Sequence, residues 1–486
     1  MKNSIYIFLL VISTLIFQSC TKFLELEPVS ITTTENSYDS AEDFEAALIA
    51  VYSLLHSEYF IWDNILLSDV RSDNCYAGPP DDVDIFAYDQ LTIEANNSRV
   101  FLNWSDFYKG ISRANLIIQK IGRVNGFDGD RKNEIIGEAK FLRALFYFQL
   151  TKLYGGVPIV KDMGSIELNE IQVPRNTERE VYDFIVKDLE NASVLLPVTF
   201  QPIDGRATKG AADALLAKAW AQRSNRDYLK VIEYCDKVIE STAGYSLLSD
   251  YRSLFDGENY NNSESIFEIQ YLVGNSTQGN WGPQLFLPPS ITGDHWRKYA
   301  TPSVNLVNAF IEKQDTIRFE ASIIWEKVSW IDEYWSPSYK LSEVPFVYKQ
   351  KHADGWHSGD QFYLLRLADI LLLKAEAMAY MGEGDMGRSI LNKIRNRAGL
   401  TDTNVLDDDL LKAIIEERRL ELAFEGHRWD DMVRNGIVVS TMNHVQELNR
   451  INSEYVEYNM EHNKILLPIP LQEIERNQKL EQNPGY

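Results

Sequence analysis

The chain is short of cysteine, of positive charge and of long apolar runs. Three cysteines occur in 486 residues, Cys20, Cys75 and Cys235, so at most one disulfide can form and no zinc site is suggested. Lys and Arg number 48 against 71 Asp and Glu, a formal charge of −23. Phosphates need a basic footprint, so no nucleic-acid partner is expected. Beyond Cys20 nothing approaches the ~18 uninterrupted apolar residues of a membrane-spanning helix. G-x-S-x-G, H-E-x-x-H and Gly-rich phosphate loops are missing too. No catalytic residue, metal or cofactor is therefore expected. Asp and Glu are abundant, but nothing singles out a carboxylate pair at the ~5 Å or ~6.5–9.5 Å separation of a glycoside hydrolase.

What is present is the composition of a folded protein, 45% hydrophobic and 12% aromatic, with ample core. Residues 1–19 read as a signal peptide, since Lys2 precedes the apolar run SIYIFLLVISTLIF and then Gln18, Ser19 and Cys20. Ser19–Cys20 has the layout of a lipobox, in which the Cys20 thiol is acylated and becomes the mature N-terminus. Gln18 is unusual there, and the plain alternative is a signal peptide with an incidental cysteine. One acyl chain holds marginally, at about 0.8 kcal/mol per buried CH₂, whereas several hold lastingly. Cys75 and Cys235 then remain; helical spacing in DYLKVIEYCDKVIE makes Cys235 a small core residue, and two free thiols are expected.

After a tether at residues 20–39, Ser40 and Asp43 resemble a capping box opening the helix AEDFEAALIAVYSLL. Residues 58–100 read as mixed and loop-rich. Helical periodicity returns in FLNWSDFYKGISRANLIIQKI, where Trp104 spaces with Tyr108 and Ile111 as core, and in NEIIGEAKFLRALFYFQLTKLYGG. Further helices are expected over 178–193, 207–223, 226–241, 361–382, 385–398 and 408–435. Within them ADALLAKAWA (212–221) and ADILLLKAEA (368–377) agree at seven of ten positions, each followed by a break and a second amphipathic helix. Ala at helix crossings with Leu at i, i+3, i+4 is the physics of tetratricopeptide hairpins; two similar Ala/Leu-rich helices arising by chance is the bland alternative. The expected fold is mainly α, a tetratricopeptide-like scaffold at 40–244 and 361–486 with a loop-rich insertion at 245–360 that contains a little β. Long loops in a compact domain are usually functional.

The order and spacing of several segments resemble the SusD/RagB family of outer-membrane nutrient-binding lipoproteins. They include FLELEP after Cys20, NWSDFYKGISRAN, EAKFLRALFYFQLTKLYGGVPIV, RATKGAADALLAKAW, LRLADILLLKAEA, EERRLELAFEGHRWDDMVRNG and the closing LLPIPLQEIERNQKLEQNPGY. The resemblance implies one SusD-like domain over 40–486, a lipid anchor on the outer membrane facing the exterior, and a SusC-type TonB-dependent transporter as partner. It also implies an oligosaccharide or polysaccharide ligand; a peptide, as in the RagB branch, is the alternative, and a helical glycoside hydrolase a further one. Family sites are built from loops in two regions. Here these offer Trp281, Phe286, His295, Trp296 and Tyr299 in one, and Arg71, Asp73, Asn74 and Tyr76 in the other. Aromatic rings bind the C–H faces of sugars while Arg, Asp and Asn bind hydroxyls, so Trp281, Trp296, Arg71, Asp73, Asn74 and Tyr76 are the expected ligand-binding residues. Trp325, Trp330, Trp335 and Trp356 form a second aromatic set. Asp81, Asp82 and Asp84 are read as a solvated acidic loop in preference to a calcium site. Residues 416–436 concentrate Glu417, Glu421, Glu425, Arg418, Arg428, Arg434 and His427. Interleaved arginines make structural ion pairing the expectation there, not acid–base catalysis.

Overall fold

The computed structural model describes residues 38–78, 81–161, 172–200, 205–340 and 343–486, without the side chains of 407 and 408. The signal peptide, Cys20 and the tether up to residue 37 lie outside the described residues. The first helix, α1 (Ala41–Tyr52), opens on the expected capping box: the Asp43 amide donates to Ser40 Oγ at 3.2 Å and the Ser40 amide to Asp43 Oδ2 at 2.9 Å. It is followed by α2 (Ser98–Lys120), α3 (Arg131–Tyr154), α4 (Glu178–Leu195), α5 (Lys209–Gln222) and α6 (Tyr228–Ile239). Each of α2 to α6 packs on its predecessor or successor in an antiparallel array. Apolar residues ring α3 on all sides, and a helix of that kind belongs in the centre; nearly every side chain from Phe141 to Tyr154 is buried.

The two copies of the repeat head two hairpins. ADALLAKAWA lies in α5, paired with α6, and ADILLLKAEA lies in α7 (Leu367–Tyr380), paired with α8 (Gly384–Arg397). Helix α7 packs directly on α6, so the second hairpin continues the array after the long excursion between them. Buried Ala212, Ala219, Ala368 and Ala375 let the helices approach closely. About 52% of the described residues are helical, and the described strands form four two-stranded antiparallel sheets. The fold is mainly α.

Four local expectations are corrected. Residues 58–70, expected as loop, are wide helical turns buried from Tyr59 on; the run YFIWDNILLSDV carries apolar residues on every face and so has to be interior. Residues 362–366 are a strand, paired with Ser265–Ile269, and α7 begins only at Leu367. The expected helix over 408–435 is two, α9 (Asp407–Glu421) and α10 (Arg428–Arg434), separated by a bend with Phe424 at φ 63° and Gly426 at φ 78°. The segment 245–360 holds helices at Val304–Lys313 and Thr316–Ser322, N-capped by Ser303 and Asp315. Its Leu306, Phe310, Ile323 and Val347 join the same core that runs from Phe44 to Leu480. Cys75 and Cys235 are buried free thiols, and Trp104 is a core residue.

Candidate functional site

The charged stretch at 416–436 is the interior hub of the molecule. Glu421 is fully buried and meets three guanidinium groups: Arg366 at 2.7 Å, Arg318 at 3.2 Å and Arg397. Arg366 also holds Glu264 at 2.9 Å and Glu425 at 2.6 Å, and Glu417 takes Arg318 at 2.6 Å. Arg418 bridges Asp369 and Asp431, while Arg434 binds Glu376 and Asp431. The partners of Glu417, Glu421 and Glu425 therefore come from remote elements, not from the arginines expected beside them. Against burial, which would raise it, Arg397, Arg366 and Arg318 hold the Glu421 carboxyl well below its usual range. His427 accepts from Lys218 Nζ at 3.3 Å; burial first, then that cation, push its imidazole down to about 3. A histidine neutral throughout the physiological range, among carboxylates already committed to arginine, has the makings of a scaffold and not of a general base.

The early-loop residues lie in the same interior. Asp73 receives a two-pronged contact from Arg428 (2.8 and 2.9 Å) and a third from Arg419 at 3.1 Å. Asn74 donates to Asp69 at 2.9 Å and accepts from Arg419 Nε at 2.8 Å. Arg71 donates to the carbonyls of Lys464 and Ile465 and lies 4.1 Å over the Trp429 ring. Tyr76 donates to Asp332 Oδ1 at 2.7 Å and is edge-on to Tyr334. All four are buried and bonded to neighbouring groups, although Arg71 Nε itself has no partner among the described residues; the sequence suggested polar groups at the edge of a platform.

The expected aromatic loop behaves differently. Gly282 lies so close to the 61-position backbone that a Cβ there would come within 2.6 Å of the Ile61 carbonyl oxygen. That approach sets Trp281 beside Trp62, ring centroids 6.4 Å apart. Tyr299 packs 5.8 Å from Trp62 on another side, and Trp296 packs 5.4 Å from Tyr299. Trp281, Trp296 and Tyr299 are half-buried around a buried Trp62. The two expected tryptophans thus belong to one four-ring cluster, joined through Trp62 and Tyr299. Trp62 was hidden in an apolar run, although its neighbours Asp63 and Asn64 signalled polar company. Arg99 lies 4.7 Å over Trp62 and is bound by Glu58 at 2.5 Å and Asp63 at 2.9 Å. Lys298 sits 4.1 Å over Trp296 and donates to the Gln284 carbonyl at 3.1 Å and Thr292 Oγ1 at 3.2 Å. Rings backed by cations in this way are fixed in orientation before any ligand arrives.

The second aromatic set is split. Trp325, 37% exposed, is edge-on to Trp335 at 5.0 Å, and Trp335 donates to the Pro302 carbonyl. Trp330 is edge-on to Phe346. Trp356, 41% exposed, stands on a tip where Asp354, Gly355 and Trp356 all have positive φ (46°, 61° and 75°). A cavity of about 610 Å³ lies elsewhere, between α2 and Glu473–Leu480, and its wall runs up to Val160 and Val173 on either side of residues the structure does not describe. Among the described residues no group of three or more His, Cys, Asp or Glu is arranged to hold a metal ion, the 81–84 carboxylates included.

Comparison with known proteins bears on what such a cluster serves. The sequence profile described as the SusD family matches residues 331–486, and one described as starch-binding, associating with outer membrane, matches residues 22–220. SusD-like protein P38 of Formosa agariphila is 28% identical over 100% of this chain and 99% of its own. Starch-binding protein SusD of Bacteroides thetaiotaomicron is 26% identical over 72% of each chain. A solved structure described as a laminarin binding SusD-like protein superposes with a TM-score of 0.77 at 26% identity, covering 92% of this chain and 100% of that one. No described helix is long and apolar enough to cross a membrane.

Proposed function

Because the chain belongs to the SusD/RagB family, we propose that it is a cell-surface lipoprotein that captures a soluble oligosaccharide or polysaccharide without cleaving it. It then hands the glycan to a SusC-type TonB-dependent transporter of the outer membrane. The observation that carries the binding step is the four-ring cluster of Trp62, Trp281, Trp296 and Tyr299. Half-exposed rings, held rigid from behind, suit the C–H faces of sugar rings. The names of the relatives, starch-binding and laminarin binding, support a glucan as the first ligand to try. On this reading Trp281 and Trp296 contact the ligand, and Asp73, Asn74, Tyr76 and Arg71 support the site from within the hub. Residues 1–19 are the signal peptide, Cys20 carries the lipid, residues 20–39 are the tether, and 40–486 form the binding domain with its insertion at 245–360.

A glycan array probed with the full-length chain tests the binding step. Capture of at least one soluble glycan is expected, with weak salt dependence, since few charge contacts are there to be screened. No glycan capture, together with salt-sensitive capture of a peptide, would move the assignment to the peptide-binding branch. Release of sugar from a captured glycan would replace binding by hydrolysis. The anchor has its own check: Cys20→Ala should release the protein from the outer-membrane fraction of cells that lack the transporter. Retention of that variant in the membrane would remove the lipid from the proposal.

A further inference from the structure

The charges around the aromatic cluster are one-sided, and from them we infer that the site takes an uncharged polysaccharide and rejects sulfated or uronate-rich ones. This rests on the glycan-binding reading above. Each cation near the rings is already spent. Arg99 is held by Glu58 and Asp63, and Arg297 by Glu333 at 2.6 Å with Asp332 at 3.7 Å. Lys298 is buried beneath Trp296, its ammonium turned to the Gln284 carbonyl and the Thr292 hydroxyl. Among the described residues none of these three cations is left free for an anionic sugar, and phosphate- or sulfate-like groups depend on such donors.

The carboxylates outnumber these cations. Asp81, Asp82, Asp294 and Glu326 form no ion pair among the described residues. They come from different elements: Asp81 and Asp82 precede the helix Val83–Asp89, Asp294 lies two residues before Trp296, and Glu326 is in the strand Ile323–Lys327. Burial raises the Tyr299 phenol first, and the charges of Asp81 and Asp82 raise it further. Asp294 accepts from Gln284 Nε2 at 2.5 Å and Glu326 from the Ser290 amide at 3.1 Å, two elements that flank Lys298. Burial brings the Lys298 ammonium down to about 8 against the pull of these same two carboxylates. A polyanion laid on the rings would bring its charges against four fixed negative ones, and like charges facing each other across an interface select against a partner more than any missing contact does.

The test is calorimetry on the full-length chain with two matched pairs, laminarin and its sulfated derivative, and dextran and dextran sulfate. The runs are made at about 10 mM and about 1 M salt, where screening lengths are about 30 Å and 3 Å. At low salt the sulfated member of a pair should bind at least about tenfold more weakly than the neutral one, and the gap should narrow at high salt. Asp81→Lys combined with Glu326→Gln should raise the sulfated-to-neutral affinity ratio by about tenfold at low salt. Equal or tighter binding of the sulfated member by the native chain would overturn the inference, as would a ratio the double variant leaves unmoved. Binding of neither member of either pair also counts against it. If the array then shows capture of another glycan, the binding proposal survives that failure; if it shows none, both fall.

Discussion

Replacing Glu421 with Ala is expected to cost about 3–5 kcal/mol of folding stability, because it takes one carboxylate from three buried guanidinium groups at once. Arg318 keeps Asp315 and Glu417, and Arg366 keeps Glu264 and Glu425, so the hub is weakened rather than dismantled. Urea unfolding of the variant against the native chain measures the loss. Acid should act on the same groups. Glu421 and Asp431 are held below the usual carboxylate range by their arginines against the opposing effect of burial. Asp73, likewise buried, is held down to about 2 by Arg419 and Arg428. Groups with depressed folded pKa values contribute stability that is complete above the unfolded value, about 4, and is lost as pH falls through the folded value. Urea midpoints should therefore drop between roughly pH 4 and pH 2, and less steeply in the Glu421→Ala protein. Glycan affinity of the molecules that remain folded should not change. A variant of native stability that no longer binds would put the hub in the site and overturn this division of labour.

Trp281→Ala and Trp296→Ala should each weaken glycan binding by about 1–3 kcal/mol, roughly tenfold to a hundredfold, by analogy with bases stacked on aromatic rings. Neither ring is needed to fill the deep core. Trp281 leans on Trp62, and Trp296 lies over Lys298, so circular dichroism of both variants should match the native chain. Trp296→Phe should recover part of the affinity, since a smaller ring still covers the ammonium. Calorimetry with laminarin reads all three. Trp325→Ala is the control, expected to be near neutral. Unchanged affinity in both alanine variants would take this loop out of the site and move attention to Trp330 and Trp335.

The periodic parts of the fold were legible because helices declare themselves locally. The seven matched positions of the repeat and the Ser40 capping box concern residues within one or two turns of each other. The aromatic loop was legible for a similar reason, since Trp281 and Trp296 sit among Gly, Pro and Asn. What could not be read was pairing at a distance. Asp73 and Asn74 look like loop residues until Arg428 and Arg419 arrive from 355 and 345 positions away. Trp62 sits in an apolar run, and only the close approach of Gly282 to the Ile61 backbone sets it beside Trp281. The helix Val304–Lys313 is the plainer omission. Ser303 as a cap and Leu306, Val307 and Phe310 as a buried stripe are present in the sequence, within a segment whose prolines and tryptophans otherwise read as loop.

The hub also dictates the order in which the molecule can assemble. Its acids and arginines come from positions 73, 264, 318, 366, 397 and the stretch 417–434, so its bonds close loops of up to 355 residues. Such contacts are gained only after the closure entropy of the intervening chain has been met, which makes folding slow relative to a helical array of local contacts. While the chain is being made, α2 to α6 can pack as each is released. Glu264, however, waits for Arg366 and Arg397, and Asp73 for Arg419 and Arg428 near the end of the chain. The hub can therefore lock only when the last seventh of the chain supplies the arginines and glutamates that close it.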